Sequence, residues 1–395
     1  MNTNLKKILI ILVIILILAL IAFLVYNFFF KKPSGETPAG GGGLPAGGGG
    51  GTGGTGAGGE GGEGEITPGP ELKIKAISTE KVLAPTLSAD KTKAIFYSQD
   101  NGNVWQVSFD GTGLTRMSST VLDNLAQIIW SPDKKKVISI YKDEEENVSK
   151  YSYNYDTGKA TSLGAYTGEI AWSSDSNKIA YQYTNDKTNQ NNISTANTDG
   201  TNWKNILDTR LKNLNIDWVG SQIAFWEKPS GLAPGSLFLL NPLNKSLDKI
   251  LSNIYGFSLK WSPLGNKILY SKTNNQGKNI GLYAASKDGS GETGIGISAF
   301  TEKCVWASDN RTIFCAIPKS ISADYILPDD FYKGVFVSDD DFVKINLDTN
   351  EKTNLLEDWE RGDGTYDATN LFLSPLEDYL FFVNKLDGLL YSIEL

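Results

Sequence analysis

The sequence predicts a repetitive all-β domain, and three observations predict it. A four-residue phrase recurs, its spacing is nearly constant, and strand-length apolar runs separated by turn formers fill the intervals. The phrase reads Trp130-Ser131-Pro132-Asp133, Trp172-Ser173-Ser174-Asp175, Trp261-Ser262-Pro263-Leu264 and Trp306-Ala307-Ser308-Asp309. Weaker copies begin at Leu87, Trp218 and Leu373.

The seven copies start at 87, 130, 172, 218, 261, 306 and 373, with intervals of 43, 42, 46, 43, 45 and 67. A period of about 40–45 residues is that of a four-stranded propeller blade. The expected fold is therefore a seven-bladed β-propeller over residues 72–395. Within a unit the order repeats. In the first, Ala94-Ile95-Phe96-Tyr97 reads as a strand and Gln99-Asp100-Asn101-Gly102 as a polar turn; Val104-Trp105-Gln106-Val107 is the next strand, closed by Asp110-Gly111. No apolar period of 3.6 residues is sustained in this region, so no major helix is expected there. The final strand, Gly388 to Ile393, has no successor, and Leu72 to Ile77 stands as an orphan strand before the first phrase. These two are expected to pair, placing both ends of the domain in blade 7 and leaving no open sheet edge.

The phrase has a mechanical reading. Trp130, Trp172, Trp218, Trp261 and Trp306 offer large apolar surfaces between neighbouring blades. Asp133, Asp175 and Asp309, with the serines, accept or donate hydrogen bonds in the turn, and Pro presets φ at its first central position. Unit four lacks the Asp, and units five and seven carry Leu264 and Leu376 there. Irregular loss suits a turn device better than a calcium ligand, so no metal is expected.

Residues 1–7 form a short head, and residues 8–30 an apolar run with Lys6 and Lys7 before it and Lys31 and Lys32 after it. That length suffices for a membrane-crossing helix. A cleaved signal peptide would have a shorter apolar region and a small-residue cleavage site, which this run lacks. Lysine counts tie across the run; the N-terminal amine tips the expected orientation to a cytoplasmic N-terminus, with the propeller outside the cell membrane. Residues 31–71 are mostly glycine and read as a flexible spacer.

The chain has 395 residues, a formal net charge of -8 and no histidine. The missing histidine excludes Ser-His-Asp and Cys-His catalysis and His-ligated metal sites. Acidity argues against a nucleic-acid partner. No cofactor is expected, and the propeller is expected to be monomeric. The two cysteines, Cys304 and Cys315, are brought nearly opposite each other by a hairpin about Asp309-Asn310. They are read either as a cross-strand disulfide or as buried thiols.

The phrase and the Asp-Gly turns resemble the propeller of the TolB family and related WD-like propellers, over residues 72–395. The domain that precedes the TolB propeller has no counterpart here. The resemblance implies the fold and leaves the ligand open. The long interval holds an insert rich in aromatics and acids (317–333) and an acidic loop (357–367). Long loops on a rigid scaffold carry recognition, which makes Tyr325, Tyr332, Trp359, Asp363 and Tyr366 the candidate contact residues. A second loop, Trp226 to Gly235, is expected at the same rim. The expected function is a binding or scaffold module for an extracytoplasmic protein, peptide or glycan. The alternative is a carboxylate-dependent glycan hydrolase or lyase with its site in the central channel; general acid–base work there needs two mutually positioned carboxylates.

Overall fold

The computed structural model describes residues 72–395. The head at 1–7, the membrane helix expected at 8–30 and the glycine-rich segment at 31–71 lie outside the described residues. Among the described residues no helix is long and apolar enough to cross a membrane.

Seven four-stranded sheets follow one another along the chain. Blades 1 to 6 span residues 82–116, 125–163, 167–208, 214–255, 258–294 and 304–354; blade 7 joins 368–394 to the strand Ile74–Ala76. First strands of neighbouring blades touch at the 1–2, 3–4, 6–7 and 7–1 junctions, so they line the inside of a closed ring. Closure is made by an antiparallel pair, Ile74 opposite Ile393, Lys75 opposite Ser392 and Ala76 opposite Tyr391. Two backbone bonds continue it: Ile77 N–H donates to Leu390 (2.8 Å) and Val82 N–H to Gly388 (2.8 Å).

Every phrase forms the turn between the first and second strands of its blade, which puts all seven on one face of the ring. The loops between second and third strands lie on the opposite face. In blade 2, Ser131 Oγ donates to Asp133 Oδ1 (2.6 Å) and accepts from the Lys136 amide (2.9 Å), while the Lys135 amide donates to Asp133 Oδ1 (3.1 Å). Blade 3 repeats this at Ser173 and Asp175. The Ser173 hydroxyl and the Asn177 amide hold the Asp175 carboxyl below the ordinary range. After each turn comes a residue with positive φ, at 91, 134, 176, 220, 265, 310 and 377; only two of the seven are glycine. A type I turn followed by a left-handed residue is a standard hairpin connection, and the side-chain bonds hold it where glycine is missing. The tryptophans do more than fill space. Trp130 Nε1 donates to the Ala84 carbonyl (2.8 Å), Trp172 Nε1 to Ile129 (3.1 Å) and Trp306 Nε1 to Lys260 (3.3 Å), each on the first strand of the preceding blade.

The core is divided among the junctions between blades. Apolar clusters fill the 6–7, 3–4, 4–5, 5–6, 7–1 and 2–3 junctions, and a small one the 1–2 junction. Cys304 and Cys315 face each other across the first two strands of blade 6 and are joined by a disulfide. Ile74 is buried in the 6–7 cluster, so the closing strand is held by packing as well as by its ladder. Ile74→Asp should cost about 3–5 kcal/mol, combining a lost apolar side chain with a buried unpaired charge. Leu376→Ala, on a side chain 85% exposed, should stay within about 0.5 kcal/mol of the parent. Urea denaturation of both variants checks this.

Candidate functional site

The long interval in the sequence corresponds to the loop between the second and third strands of blade 6. Its ladder runs to Pro318 opposite Asp340, and residues 319–339 then cross the loop-bearing face. The insert is tied down along its length. Lys278 Nζ, from blade 5, donates to the carbonyls of Ala323 (2.6 Å), Asp324 (3.1 Å) and Tyr325 (2.6 Å). The Leu327 amide donates to Gly277 (2.8 Å). Asp329, on the short helix Asp329–Tyr332, accepts from Ser230 Oγ (2.9 Å) and the Gly231 amide (2.7 Å) of blade 4. A Cβ at Gly231 would overlap the Leu327 carbonyl, so this approach requires glycine. Beneath lies an apolar cluster of its own, Ile280, Phe300, Leu327, Phe331 and Phe336, with the Phe300 and Phe331 rings stacked at 4.4 Å. At its far end Lys385 Nζ of blade 7 donates to the Phe336 carbonyl (3.1 Å). The insert is thus a cap reaching from blade 4 to blade 7.

The base of the cap rests on a buried charge cluster. Lys303 Nζ lies 2.6 Å from Asp340 Oδ2 and 2.6 Å from Asp367 Oδ1, with all three side chains fully buried. It also donates to the Ala368 carbonyl (3.0 Å). An ammonium held by two carboxylates and a carbonyl fixes the entries to blades 6 and 7 relative to each other; removal of one partner would leave a buried charge uncompensated.

Beside the cap opens a cavity of about 520 Å³. Trp226, Lys228 and Pro229 of blade 4, Leu259 of blade 5, Glu302, and Asp329, Tyr332 and Lys333 of the cap line it. The Tyr332 hydroxyl donates to Glu302. The two loops expected at one rim, 226–235 and 317–333, do share this wall. Tyr332 is 48% exposed here, whereas Tyr325 packs edge-on against Phe336 under the cap. Trp359 (55% exposed) sits on the short helix Asp358–Arg361, beside Lys73, which pairs with Glu360 at 2.9 Å. Asp363 is exposed on the same connection. Neither lines the cavity. Tyr366 is 8% exposed, its ring against Phe382, Tyr391 and the Arg361 guanidinium. It is core packing between blades 6 and 7, which removes it from the contact surface. Lys228 and Lys333 lie within the two marked loops, whereas Leu259 and Glu302 were not legible as site residues, because separate blades bring them together.

At the phrase-bearing face the ring holds a second cavity of about 590 Å³, walled by Trp130, Trp172, Trp218 and Trp261. Lys134 and Asp217 also line it. Burial pushes Asp217 up to about 6, and the Glu169 carboxylate on the neighbouring first strand adds to the rise. Burial likewise raises Glu169, with Lys228 and Lys150 opposing. Burial pulls Lys134 down to about 8. Among the described residues no group of three or more acidic or cysteine side chains is arranged to hold a metal ion.

No family model matches the sequence, and no curated protein matches it by sequence. Solved structures do match it in fold. An oligogalacturonate lyase in complex with manganese aligns over 82% of this chain and 93% of its own, at TM-score 0.59 and 12% identity. The β-propeller domain of the Trilobed protease from Pyrococcus furiosus, which has an open velcro topology, aligns over 79% and 94%, at 0.52 and 11%. TolB from Acinetobacter baumannii aligns over 68% and 62%, at 0.44 and 12%. At 11–12% identity the first two likenesses establish the propeller fold alone, and this ring differs from the open one in being closed by its N-terminal strand.

The raised Asp217 carboxyl makes stability depend on pH. Below the ordinary value of 3.8 both folded and unfolded chains hold the proton. Above about 6 the folded chain carries a charge it disfavours, so this contribution to stability is lost as pH rises through that range. Asp217→Asn should therefore leave the melting temperature unchanged near pH 3.5 and raise stability by about 1–2 kcal/mol near pH 8.

Proposed function

We propose that this protein is a membrane-anchored, extracytoplasmic binding module that presents the cap-side cavity to a peptide or glycan segment. The observation that carries the reading is the construction of that cavity. A cap bonded to blades 4, 5 and 7 holds an exposed Tyr332 in a cavity that Trp226 also lines, together with Lys228, Lys333, Glu302 and Asp329. Rigid aromatic surface with a few convergent polar groups suits ligand binding at low ordering cost. The Cys304–Cys315 disulfide supports an oxidising compartment, and the apolar run at 8–30 supports the anchor. The glycine-rich spacer would let the propeller reorient above the membrane.

A second reading has one observation in its favour. Asp217, near 6, lines the phrase-side cavity, and the raised Glu169 on the neighbouring first strand couples to it, the kind of shifted carboxyls a glycan hydrolase or lyase would use. An oligogalacturonate lyase shares the fold at 12% identity.

Array screening separates the two. Full-length protein in detergent, probed on peptide and glycan arrays, should bind a defined set. Tyr332→Ala combined with Lys333→Ala should lower those signals about tenfold with the melting temperature retained. An unchanged set would sink the cavity as the recognition surface. Hydrolysis or elimination on the same glycans, abolished by Asp217→Asn, would transfer the assignment to the channel.

A further inference from the structure

One junction of the ring differs from the other six. Where the others are filled by seven to eleven buried apolar residues, blades 1 and 2 share only Tyr97, Ile128 and Val137. Strand lengths are unequal across this junction. The outer strands of blade 1 are Val104–Val107 and Thr115–Arg116, whereas those of blade 2 are Val148–Asn154 and Lys159–Leu163. The outer strands of blade 1 leave part of the face that blade 2 turns toward them uncovered. A cleft of about 680 Å³ opens between them.

The uncovered face is built from alternate residues of two paired strands: Val137 opposite Tyr153, Ser139 opposite Tyr151, Tyr141 opposite Ser149. Tyr97 closes the floor from blade 1, its hydroxyl bonded to that of Tyr155. Trp130 stacks on Tyr155 at 5.9 Å behind it. Burial raises Tyr97 well above its ordinary value and Tyr155 to about 12, so these phenols stay neutral. Tyr151 is 37% exposed at the mouth.

Charge decides what such a wall accepts. No Lys or Arg lines the cleft, while Asp123 and Asp143 do. The turn at its rim is Asp143-Glu144-Glu145-Glu146, and its one neighbouring cation, Lys142, is already paired with Glu146. The one lysine of the third strand points away: Lys150 Nζ donates to the Thr167 carbonyl of blade 3. Aromatic faces with carboxylates and no competing cation attract ammonium and guanidinium groups, and repel anions. The exposed hydroxyls of Thr120 and Ser149 supply hydrogen-bond partners for a peptide backbone.

From this we propose that the cleft between blades 1 and 2 binds an extended peptide segment through an arginine or lysine side chain. The site is separate from the cap-side cavity, which is lined by blades 4 to 6, and each can fail without the other.

The test is calorimetric titration of the full chain in detergent with four matched peptides, a Gly-Ser spacer carrying Arg, Lys, Gln or Glu at two positions. Maltohexaose serves as a neutral glycan arm. The Arg and Lys peptides should bind, with affinity falling as salt rises, and the Gln and Glu peptides at least about tenfold more weakly. Tyr151→Ala should weaken the Arg peptide about tenfold and Tyr151→Phe should preserve it, since the ring face and not the hydroxyl holds the cation. Asp123→Asn, on an exposed side chain, should weaken binding and flatten its salt dependence. Equal binding of the Gln peptide, binding of maltohexaose in place of the peptides, no binding by any probe, or an unaltered affinity in a folded Tyr151→Ala protein would each overturn the assignment.

Discussion

The ring depends on one short antiparallel pair, Ile74–Ala76 with Tyr391–Ile393. Each blade by itself is a small sheet with two open edges and an apolar face on either side. Stacking covers the faces, and only closure removes the last uncovered pair. Joining residues so distant in sequence carries a loop-closure cost, but that cost grows only with the logarithm of length. Burial of Ile74 and the continuing bonds from Ile77 and Val82 offset it. Because N- and C-terminal strands share blade 7, neither end of the described chain can leave without opening the ring.

Much of this was legible in the sequence because it is local and repeated. Phrase spacing gave the blade count, and Pro132 or Asp133 announce a turn whatever lies around them. The orphan strand and the strand without a successor named each other. What escaped reading is what distant residues make jointly. Nothing about Trp130 or Trp172 alone indicates that the indole N–H reaches the preceding blade. Lys303 meets carboxylates that stand 37 and 64 residues away. Tyr366 looked like a loop aromatic because its neighbours are acidic and glycine-rich; Phe382 and Tyr391, from later strands, bury it.

The candidate site shows the same division. Two loops, 226–235 and 317–333, were marked by composition, and the cap joins them through Asp329, Ser230 and Gly231. Of the polar groups that give the cavity its character, Lys228 belongs to the first of these loops, whereas Glu302 sits on a segment with no unusual composition. The gap between blades 1 and 2 left only a faint trace, in a two-residue outer strand set beside a blade whose outer strand has five. Differences among nearly equal units thus carry the proposed sites, while their likeness carries the fold. The cap, the channel and the open junction are each a departure from the repeat.

Hydrogen exchange on the full chain tests the closure most directly. The account predicts that amides of Ile74–Ala76 and of Leu390–Glu394 exchange in one protected class, and that deletion of residues 72–77 exposes the latter together with the rest of blade 7. Amides of Ile74–Ala76 exchanging at unstructured-peptide rates, while Leu390–Glu394 stay protected, would contradict it.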